Sequence, residues 1–542
     1  SIMANAKEIT SRLWEMANQL RGTMDASEYK NYILPFMFYR YLSENQDDYL
    51  KANQLEEFYE VEDTEEIEDY LEEISRGIGY AIEPEYTWES IVSKIENHKI
   101  IASDFQDMFE AFNRNAKRNA SAEADFANVF SDVNLGDTRL GSSTNERAKA
   151  LNDIVLMVSE FTFKDDRGRD ILGDVYEYLI GQFAATAGKK GGEFYTPHEV
   201  SKVLAKIVTS DIINTDEQFR VYDPTMGSGS LLLTVQNELP HGDEEGSVEF
   251  YGQERNTTTY NLARMNLMMH GVNYRNMELR CADTLDADWP FDERNGTQIP
   301  VQFDAVVANP PYSQKWDIKT IDREKDSRFK GFGVAPASKA DYAFVLHSLY
   351  HLNKNGTMAI VLPHGVLFRG AAEGRIRKNL IDNNLLDTVI GLPANLFYGT
   401  SIPTCILVFK GREARKIKDI LFIDASSDFE KAKNKNKLSD EHINKIIETY
   451  KKRETIDKYS YVANLDEIKN ENEYNLNIPR YVDTFEEEEA IPLPDLANDL
   501  VAVSNEIKES QNALFELLAE LDGTTDEAKE ELSKFIDILA EN

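Results

Sequence analysis

Apolar residues recur at helical spacing through the first part of the chain. Ile9, Leu13, Trp14, Met16 and Leu20 fall on one helix face. Asp25 followed by Glu28 predicts a capped start for the next helix, which carries Tyr32, Ile33, Phe36, Met37, Tyr39 and Tyr41. Pro35 lies inside it and is expected to kink or break it. The acidic stretch 60–73 reads as a solvated helix face. Up to about residue 160 there is neither strand alternation nor a catalytic constellation.

From about Asp165 the period changes. A helix from Asp170 to about Phe183 runs into a glycine-rich loop at 187–192. Short apolar segments at 219–222, 248–251, 303–308, 358–362, 386–391 and 404–409 then alternate with helical ones. Strands interleaved with helices predict an α/β fold: a mainly parallel, Rossmann-like sheet with helices on both faces. Ligands of such sheets lie beyond the carboxyl ends of the strands.

Soon after Pro479 the chain turns acidic at Glu486-Glu487-Glu488-Glu489, with Pro492 and Pro494 marking a linker. Leu496, Leu500, Val503, Ile507, Leu514, Leu517 and Leu521 then step by fours and threes, interrupted at Ser510, as an a/d seam does. Asp522-Gly523 ends that helix, and a last one carries Leu532, Phe535, Ile536 and Leu539. Such a hairpin can fold back on its own domain or offer its seam to a partner helix. The expected organisation is a helical domain at 1–160, an α/β domain at 161–480, and a linker with C-terminal helical, coiled-coil-like extension at 481–542.

At 542 residues, two to four structural units are expected. No apolar run approaches the roughly 18 residues of a membrane helix, and no basic-then-apolar opening reads as a secretory signal. Cys281 and Cys405 lie in separate strand-like segments and suit a reducing cytoplasm, with no disulfide framework and no metal site. The formal net charge is −37. A chain so acidic is not expected to hold nucleic acid alone, because phosphate affinity comes from clustered Lys and Arg.

Candidate chemistry begins at Asp223-Pro224-Thr225-Met226-Gly227-Ser228-Gly229-Ser230, between a strand and a helix. Its glycines let backbone approach a ligand, and a carboxylate at the strand end can meet a cationic or hydroxylated group. Glu254 closes the next strand, where a carboxylate suits a ribose diol. Asp283, after the strand-like 279–281, can accept from an adenine amino group. This order describes a nucleoside-bearing cofactor and leaves NAD and S-adenosylmethionine both open. The segment 303–308 then runs into Asn309-Pro310-Pro311-Tyr312. Prolines fix φ and cannot donate, so their carbonyls are free to accept. An Asn oxygen beside the Pro310 carbonyl can take both hydrogens of an amino group, freeing the nitrogen lone pair for attack on a methyl sulfonium. Tyr312 offers a face for a base to stack on.

These residues resemble the amino-methylating, class I S-adenosylmethionine-dependent methyltransferases that carry an (N/D)PP(Y/F) motif. Glu193-Phe194-Tyr195-Thr196-Pro197-His198 is similar to the segment that folds over the methionine end of the cofactor, and the motif order matches the γ arrangement. The helical N-terminal region, Tyr176-Glu177-Tyr178-Leu179-Ile180, and the segments 339–344 and 391–397 resemble the modification (M) subunit of type I restriction-modification systems.

The resemblance implies S-adenosyl-L-methionine as cofactor, held by Glu193, Phe194, Tyr195, Thr196, Pro197, His198, Ser228, Gly229, Ser230 and Glu254. Gly227 belongs to the same turn, and Asp223 and Asp283 are additional implied contacts. Asn309, Pro310, Pro311 and Tyr312 are the implied catalytic motif, acting on N6 of adenine in double-stranded DNA. Thr225-Met226 departs from the commonest glycine motif, and both side chains are expected to pack under the turn. In that family base reading belongs to a separate specificity (S) subunit, with two M chains per S and room for a restriction (R) subunit. That arrangement accounts for an acidic catalytic chain and a spare leucine seam. The loop at 315–330, with Lys319, Arg323, Lys325 and Arg328, is a candidate for closing over a flipped-out base. Two rival readings remain: the same chemistry on protein glutamine or RNA, and an interaction protein with a vestigial pocket.

Overall fold

The computed structural model describes residues 2–22, 24–164, 170–187, 195–212, 217–319, 322–486 and 489–541. They form two compact units, Ser1–Asp483 and Thr484–Asn542.

Every element of the first unit up to Ser159 is helical. Helix Ala26–Ala52 passes through Pro35 without ending, so the expected break is absent. Tyr32, Ile33, Leu34, Pro35, Phe36, Met37, Phe38 and Tyr39 are all buried there. Burial on every side offsets the roughly 3 kcal/mol an interior proline costs. Asp25 is the N-cap residue as read, but its side chain makes no capping bond. In the acidic region, helix Thr64–Ile78 buries Leu71 and Ile74 and turns its glutamates outward.

The sheet has nine strands: β1 (Phe219–Asp223), β2 (Val248–Glu254), β3 (Met277–Cys281), β6 (Phe303–Ala308), β7 (Leu352–Pro363), β8 (Leu386–Gly391), β9 (Thr404–Lys410), β10 (Ile420–Asp424) and β13 (Ser460–Ala463). Separate two-stranded ribbons are β4 (Phe291–Arg294) with β5 (Thr297–Pro300), and β11 (Glu430–Lys431) with β12 (Asn436–Lys437). The order is β13-β10-β8-β9-β7-β6-β1-β2-β3. From β3 to β7 all pairs are parallel, whereas β9 runs antiparallel to both β7 and β8, and β13 antiparallel to β10.

Alternate strand residues feed two cores, because successive side chains point to opposite faces. Val221, Phe250, Ala305, Val307 and Ile406 join the core shared with the N-terminal helices. Tyr222, Tyr251, Val306, Ile360 and Leu407 join a second core with helix Asp341–Tyr350. Both faces are covered, which is why these strands read as continuous apolar runs. Polar contacts weld the helical region to the sheet layer. Arg264 donates to the Ala127 carbonyl at 2.8 Å, and Asn261 to Asp132 at 2.7 Å.

The second unit comprises helices Leu493–Ala519 and Asp526–Ala540. Leu496, Leu500, Val503, Ile507, Leu514, Leu517 and Leu521 are all exposed in the single chain. Among the described residues no helix is long and apolar enough to cross a membrane.

Candidate active site

The first wall of the site is the turn between β1 and helix Ser230–Glu238. Gly227 (φ +54°) and Gly229 (φ +78°) both take left-handed backbone. A Cβ on Gly229 would also sit 2.5 Å from a Leu267 methyl, so any other residue here is strained in the backbone and must displace that side chain. Met226 packs under the turn as expected: it is buried, its sulfur lies against Gly252, and its amide donates to the Gln253 carbonyl at 2.9 Å. Thr225 donates its amide to Asp223 Oδ1 at 3.0 Å, while its own buried hydroxyl lacks a partner among the described residues.

Asp223 and Glu254 end neighbouring parallel strands. Burial pushes the Asp223 carboxyl up to about 8, with the Thr225 amide opposing and Glu254 adding to the shift. Burial likewise pushes Glu254 up to about 7, against the Asn256 and Arg255 amides and the Arg255 charge. Neither forms an ion pair among the described residues. Desolvated carboxylates with no ion pair among the described residues fit a ligand that brings hydroxyl donors or positive charge. Asp283 is half-buried beyond β3 and accepts from the Leu285 amide at 3.0 Å, while the Thr284 hydroxyl ties this segment to the Pro224 carbonyl of the glycine turn.

The second wall follows β6. Asn309 is half-buried, Pro310 buried and Pro311 exposed. The Asn309 amide donates to Thr196 Oγ1 at 3.1 Å, and the Tyr312 hydroxyl donates to Asn309 Oδ1 at 2.8 Å. Tyr312 therefore does more than present an open face: it is half-buried, meets Phe397 edge-on with centroids 6.0 Å apart, and orients Asn309. Phe397 and Tyr398 complete this aromatic wall, with Tyr195 lying 6.0 Å from Tyr398. Pro197 is buried at the N-cap of helix His198–Thr209, and His198 is exposed. Glu193 and Phe194 lie outside the described residues.

Motif reading did not assign a role to Glu177, whose carboxylate accepts from the Ser230 hydroxyl at 2.6 Å. Nor did it assign one to Asn266, which donates to the Ser228 carbonyl at 2.9 Å and to Ser230 Oγ at 3.1 Å. The only advance signal was the neighbourhood of Glu177 within the family-like segment 176–180.

The basic loop departs from expectation. Arg323 and Arg328 are 2% and 3% exposed and cannot grip DNA. Arg323 donates to the Leu285 carbonyl at 2.7 Å and to Asp286 at 2.6 Å. Arg328 donates to the carbonyls of Thr284 at 2.9 Å and Leu285 at 2.8 Å, and pairs with Asp326 at 2.7 Å. Their carbonyl and carboxylate partners draw them inward, whereas Lys315, Lys319, Lys325 and Lys330 of this stretch face solvent.

Nearby, Asp288, His347 and His351 bring ligand-type atoms within 4.8 Å of one another. Arg328 donates to His347 Nδ1 at 2.9 Å and lies 4.0 Å from Asp288, so the cation facing this cluster is already a guanidinium. Burial, then His351 and Arg328, holds His347 well below the usual histidine range. Neutral His347 thus accepts at Nδ1 and donates from Nε2 to the Tyr222 hydroxyl at 2.8 Å.

The reversed β9 between β7 and β8 separates this sheet from a dinucleotide-binding fold, whose strands run parallel. That reversal, within an otherwise Rossmann-like sheet, is the arrangement of a class I S-adenosylmethionine-dependent methyltransferase. The family model described as N-6 DNA Methylase matches residues 167–490, and that of the HsdM N-terminal domain matches residues 9–158. The chain is 35% identical to the type I restriction enzyme MpnII methylase subunit of Mycoplasma pneumoniae, covering 95% of this chain and 96% of that one. It is 32% identical to the MjaVIII methylase subunit of Methanocaldococcus jannaschii, covering 91% and 81% of the two chains. Among solved structures, the type I restriction-modification system methyltransferase subunit from Streptococcus thermophilus superposes with a TM-score of 0.78 at 43% identity, covering 88% of this chain and 100% of that one. The chain belongs to the N-6 DNA methylases, among the methylase subunits of type I restriction-modification systems. Its methyl donor is S-adenosylmethionine and its acceptor N6 of adenine in DNA.

Proposed function

We propose that Asn309 Oδ1 and the Pro310 carbonyl accept the two hydrogens of the adenine amino group and draw its nitrogen towards sp³ character. S-adenosylmethionine supplies the electrophilic methyl on a sulfonium. The observation that carries this reading is the chain Tyr312–Asn309–Thr196, which fixes the amide plane from both ends. An amide oxygen has two acceptor lone pairs, so the Tyr312 hydroxyl leaves one for an amino hydrogen. Preorganised acceptors act without reorganising during the reaction. Ser228, Gly229, Ser230 and the segment Tyr195–His198 take the methionine end, Glu254 the ribose hydroxyls, and Asp283 the adenine amino group, with Asp223 beneath the turn.

The target adenine must leave the duplex, at a cost of a few kcal/mol of unstacking, and Tyr312 and Phe397 form the wall it would meet. With a net charge of −37 this chain works with a separate specificity subunit that supplies phosphate contacts and base readout. Two copies of the chain flank one such subunit, and a restriction subunit joins that assembly. In this division of labour, residues 1–160 form the helical domain, 161–480 the catalytic domain, and 481–542 the assembly extension. The free thiols of Cys281 and Cys405 fit a cytoplasmic setting.

A radiolabelled methyl-transfer assay tests the reading on DNA, RNA and protein, with and without the specificity subunit. Label entering N6 of adenine only when DNA and that subunit are both present supports it. Label entering RNA or protein glutamine overturns it.

A further inference from the structure

Helix Leu172–Ala187 contributes one charged side chain to the cofactor side of the site. Glu177 is half-buried beside the glycine turn and accepts from Ser230 Oγ at 2.6 Å and from Asn266 Nδ2 at 3.4 Å. Both bonds fall on Oε2, and Oε1 receives none among the described residues. No ion pair to Glu177 is formed among those residues either. A carboxylate held half out of water, with one oxygen anchored and the other without a partner among the described residues, is organised for a cation that those residues do not provide.

Its position says which cation. Ser230 opens helix Ser230–Glu238 behind Gly229, and its hydroxyl is both the Glu177 donor and 3.1 Å from Ser228 Oγ. On the other side, Tyr195 lies against the same helix as Glu177: a Cβ on Gly181 would sit 3.3 Å from the Tyr195 hydroxyl. Glu177 thus stands between the glycine turn and the Tyr195–His198 segment. An amino-acid end carries one negative and one positive group. The helix N-terminus and its free amides suit the negative one. Asp223 is a poor match for the positive one, being 1% exposed beneath the turn with one oxygen on the Thr225 amide.

We propose that Glu177 is a further cofactor-binding residue, taking the α-ammonium group of S-adenosylmethionine through its unpartnered oxygen. This rests on the reading that Ser228–Ser230 and Tyr195–His198 hold the methionine end. Asn266 and Ser230 then act as positioning residues that aim the carboxylate.

Equilibrium calorimetry on the full chain tests it with three probes. S-adenosylmethionine and S-adenosylhomocysteine carry the ammonium; 5′-methylthioadenosine has the same adenosine and thioether but no amino-acid end. Glu177→Gln keeps an acceptor for Ser230 and removes the charge. It should weaken both amino-acid-bearing probes about ten- to a hundred-fold, the worth of one charge-assisted bond, and leave 5′-methylthioadenosine unchanged, with an unaltered melting temperature. Unchanged binding of all three overturns the proposal, as does an equal loss of all three, which would make Glu177 a brace for the turn. Glu254→Gln serves as control and should weaken all three. If it weakens none, the underlying cofactor reading fails; if it does so while Glu177→Gln has no effect, only the Glu177 inference fails.

Discussion

Asn309 donates its side-chain amide to the hydroxyl of Thr196 across 3.1 Å, although 113 residues separate them in the chain. The Asn309-Pro310-Pro311-Tyr312 motif and the segment read as folding over the cofactor are therefore one hydrogen-bonded unit. Their distance along the chain hides this, because β1, β2 and β3 with their helices intervene and the sheet order then returns β6 beside β1.

Asn309→Ala should abolish methyl transfer while S-adenosylmethionine still binds. Losing one preorganised partner costs on the order of 10²–10³ in rate, by analogy with oxyanion-hole donors. Cofactor binding should change little, because Asp223, Glu254 and the glycine turn are untouched and only the Asn309 bond to Thr196 is lost from the cofactor side. Turnover within a few-fold of wild type would remove Asn309 from the reaction.

The Tyr312 hydroxyl donates to Asn309, and its ring is the proposed face for the base, so the two proposed roles are separable. Tyr312→Phe retains the ring, so adenine stacking, worth roughly 1–3 kcal/mol, should persist while kcat falls. Tyr312→Ala should lose both. Fluorescence of 2-aminopurine at the target position, measured in the complex with the specificity subunit, distinguishes the variants. Equal loss of base capture in both would assign the whole effect to the hydroxyl.

Cofactor affinity should rise with pH between about 6 and 8. Glu254 and Asp223 sit near 7 and 8 because burial disfavours their charged forms. Ribose hydroxyls donate to ionised Glu254, and the positive charge of the cofactor favours ionised Asp223 through space without direct contact, so binding should expel protons in this window. The stability linkage has the opposite sign. A carboxyl raised in the folded state favours folding at low pH, and that contribution is lost as pH rises from the unfolded value, near 4.3 for Glu254, through about 7. Calorimetry in buffers of different ionisation enthalpy measures the protons released; Glu254→Gln should reduce the number. A pH-independent affinity would contradict the assignment.

The expectation that the basic loop 315–330 closes over DNA fails for Arg323 and Arg328. Arg328→Met should destabilise the fold by about 3–5 kcal/mol, since it strands Asp326 and the Thr284 and Leu285 carbonyls. Lys325, whose side chain is 87% exposed, should change stability by no more than about 0.5 kcal/mol when replaced by Ala. Thermal melting reads both, and equal effects would be inconsistent with the observed burial.

Legibility tracked locality. β6 and β8 begin and end where their apolar runs do, because burial on both faces writes the strand directly into composition. β10 carries the same signal in Ile420-Leu421-Phe422-Ile423 and was not read, its edges being blurred by the basic residues Lys416 and Lys418. The β4–β5 hairpin was also missed, although Asn295-Gly296, with φ of +52° and +76°, is the residue pair a two-residue turn requires. The reversal of β9 has no local signature: an antiparallel central strand is as apolar as its neighbours. Glycines, carboxylates at strand ends and Asn309 stand out in the sequence because their chemistry and their place after a strand coincide. Glu177, Arg323 and Arg328 do not, since whether a charge on a helix or loop faces water is decided by tertiary neighbours.

The C-terminal seam supplies the last prediction. In the single chain Leu500 is 60% exposed, Leu517 63% and Leu521 58%, and the linker before them is acidic. A row of leucines left in water is costly, since burying each contributes roughly 1.5–3 kcal/mol, and a/d spacing is suited to another helix. A helical spacer of the specificity subunit is the proposed occupant. Association and side-chain ordering consume much of the gross gain, but several leucines together exceed that cost. Deleting residues from Asp495 onward should therefore leave S-adenosylmethionine binding intact, because every residue proposed to hold the cofactor lies in the first compact unit. The same deletion should abolish complex formation with the specificity subunit, and with it methylation of duplex DNA. Size-exclusion chromatography of the truncated chain mixed with that subunit gives the answer. If the complex forms at full affinity, the seam is an intramolecular clasp and the assembly surface lies elsewhere on the chain.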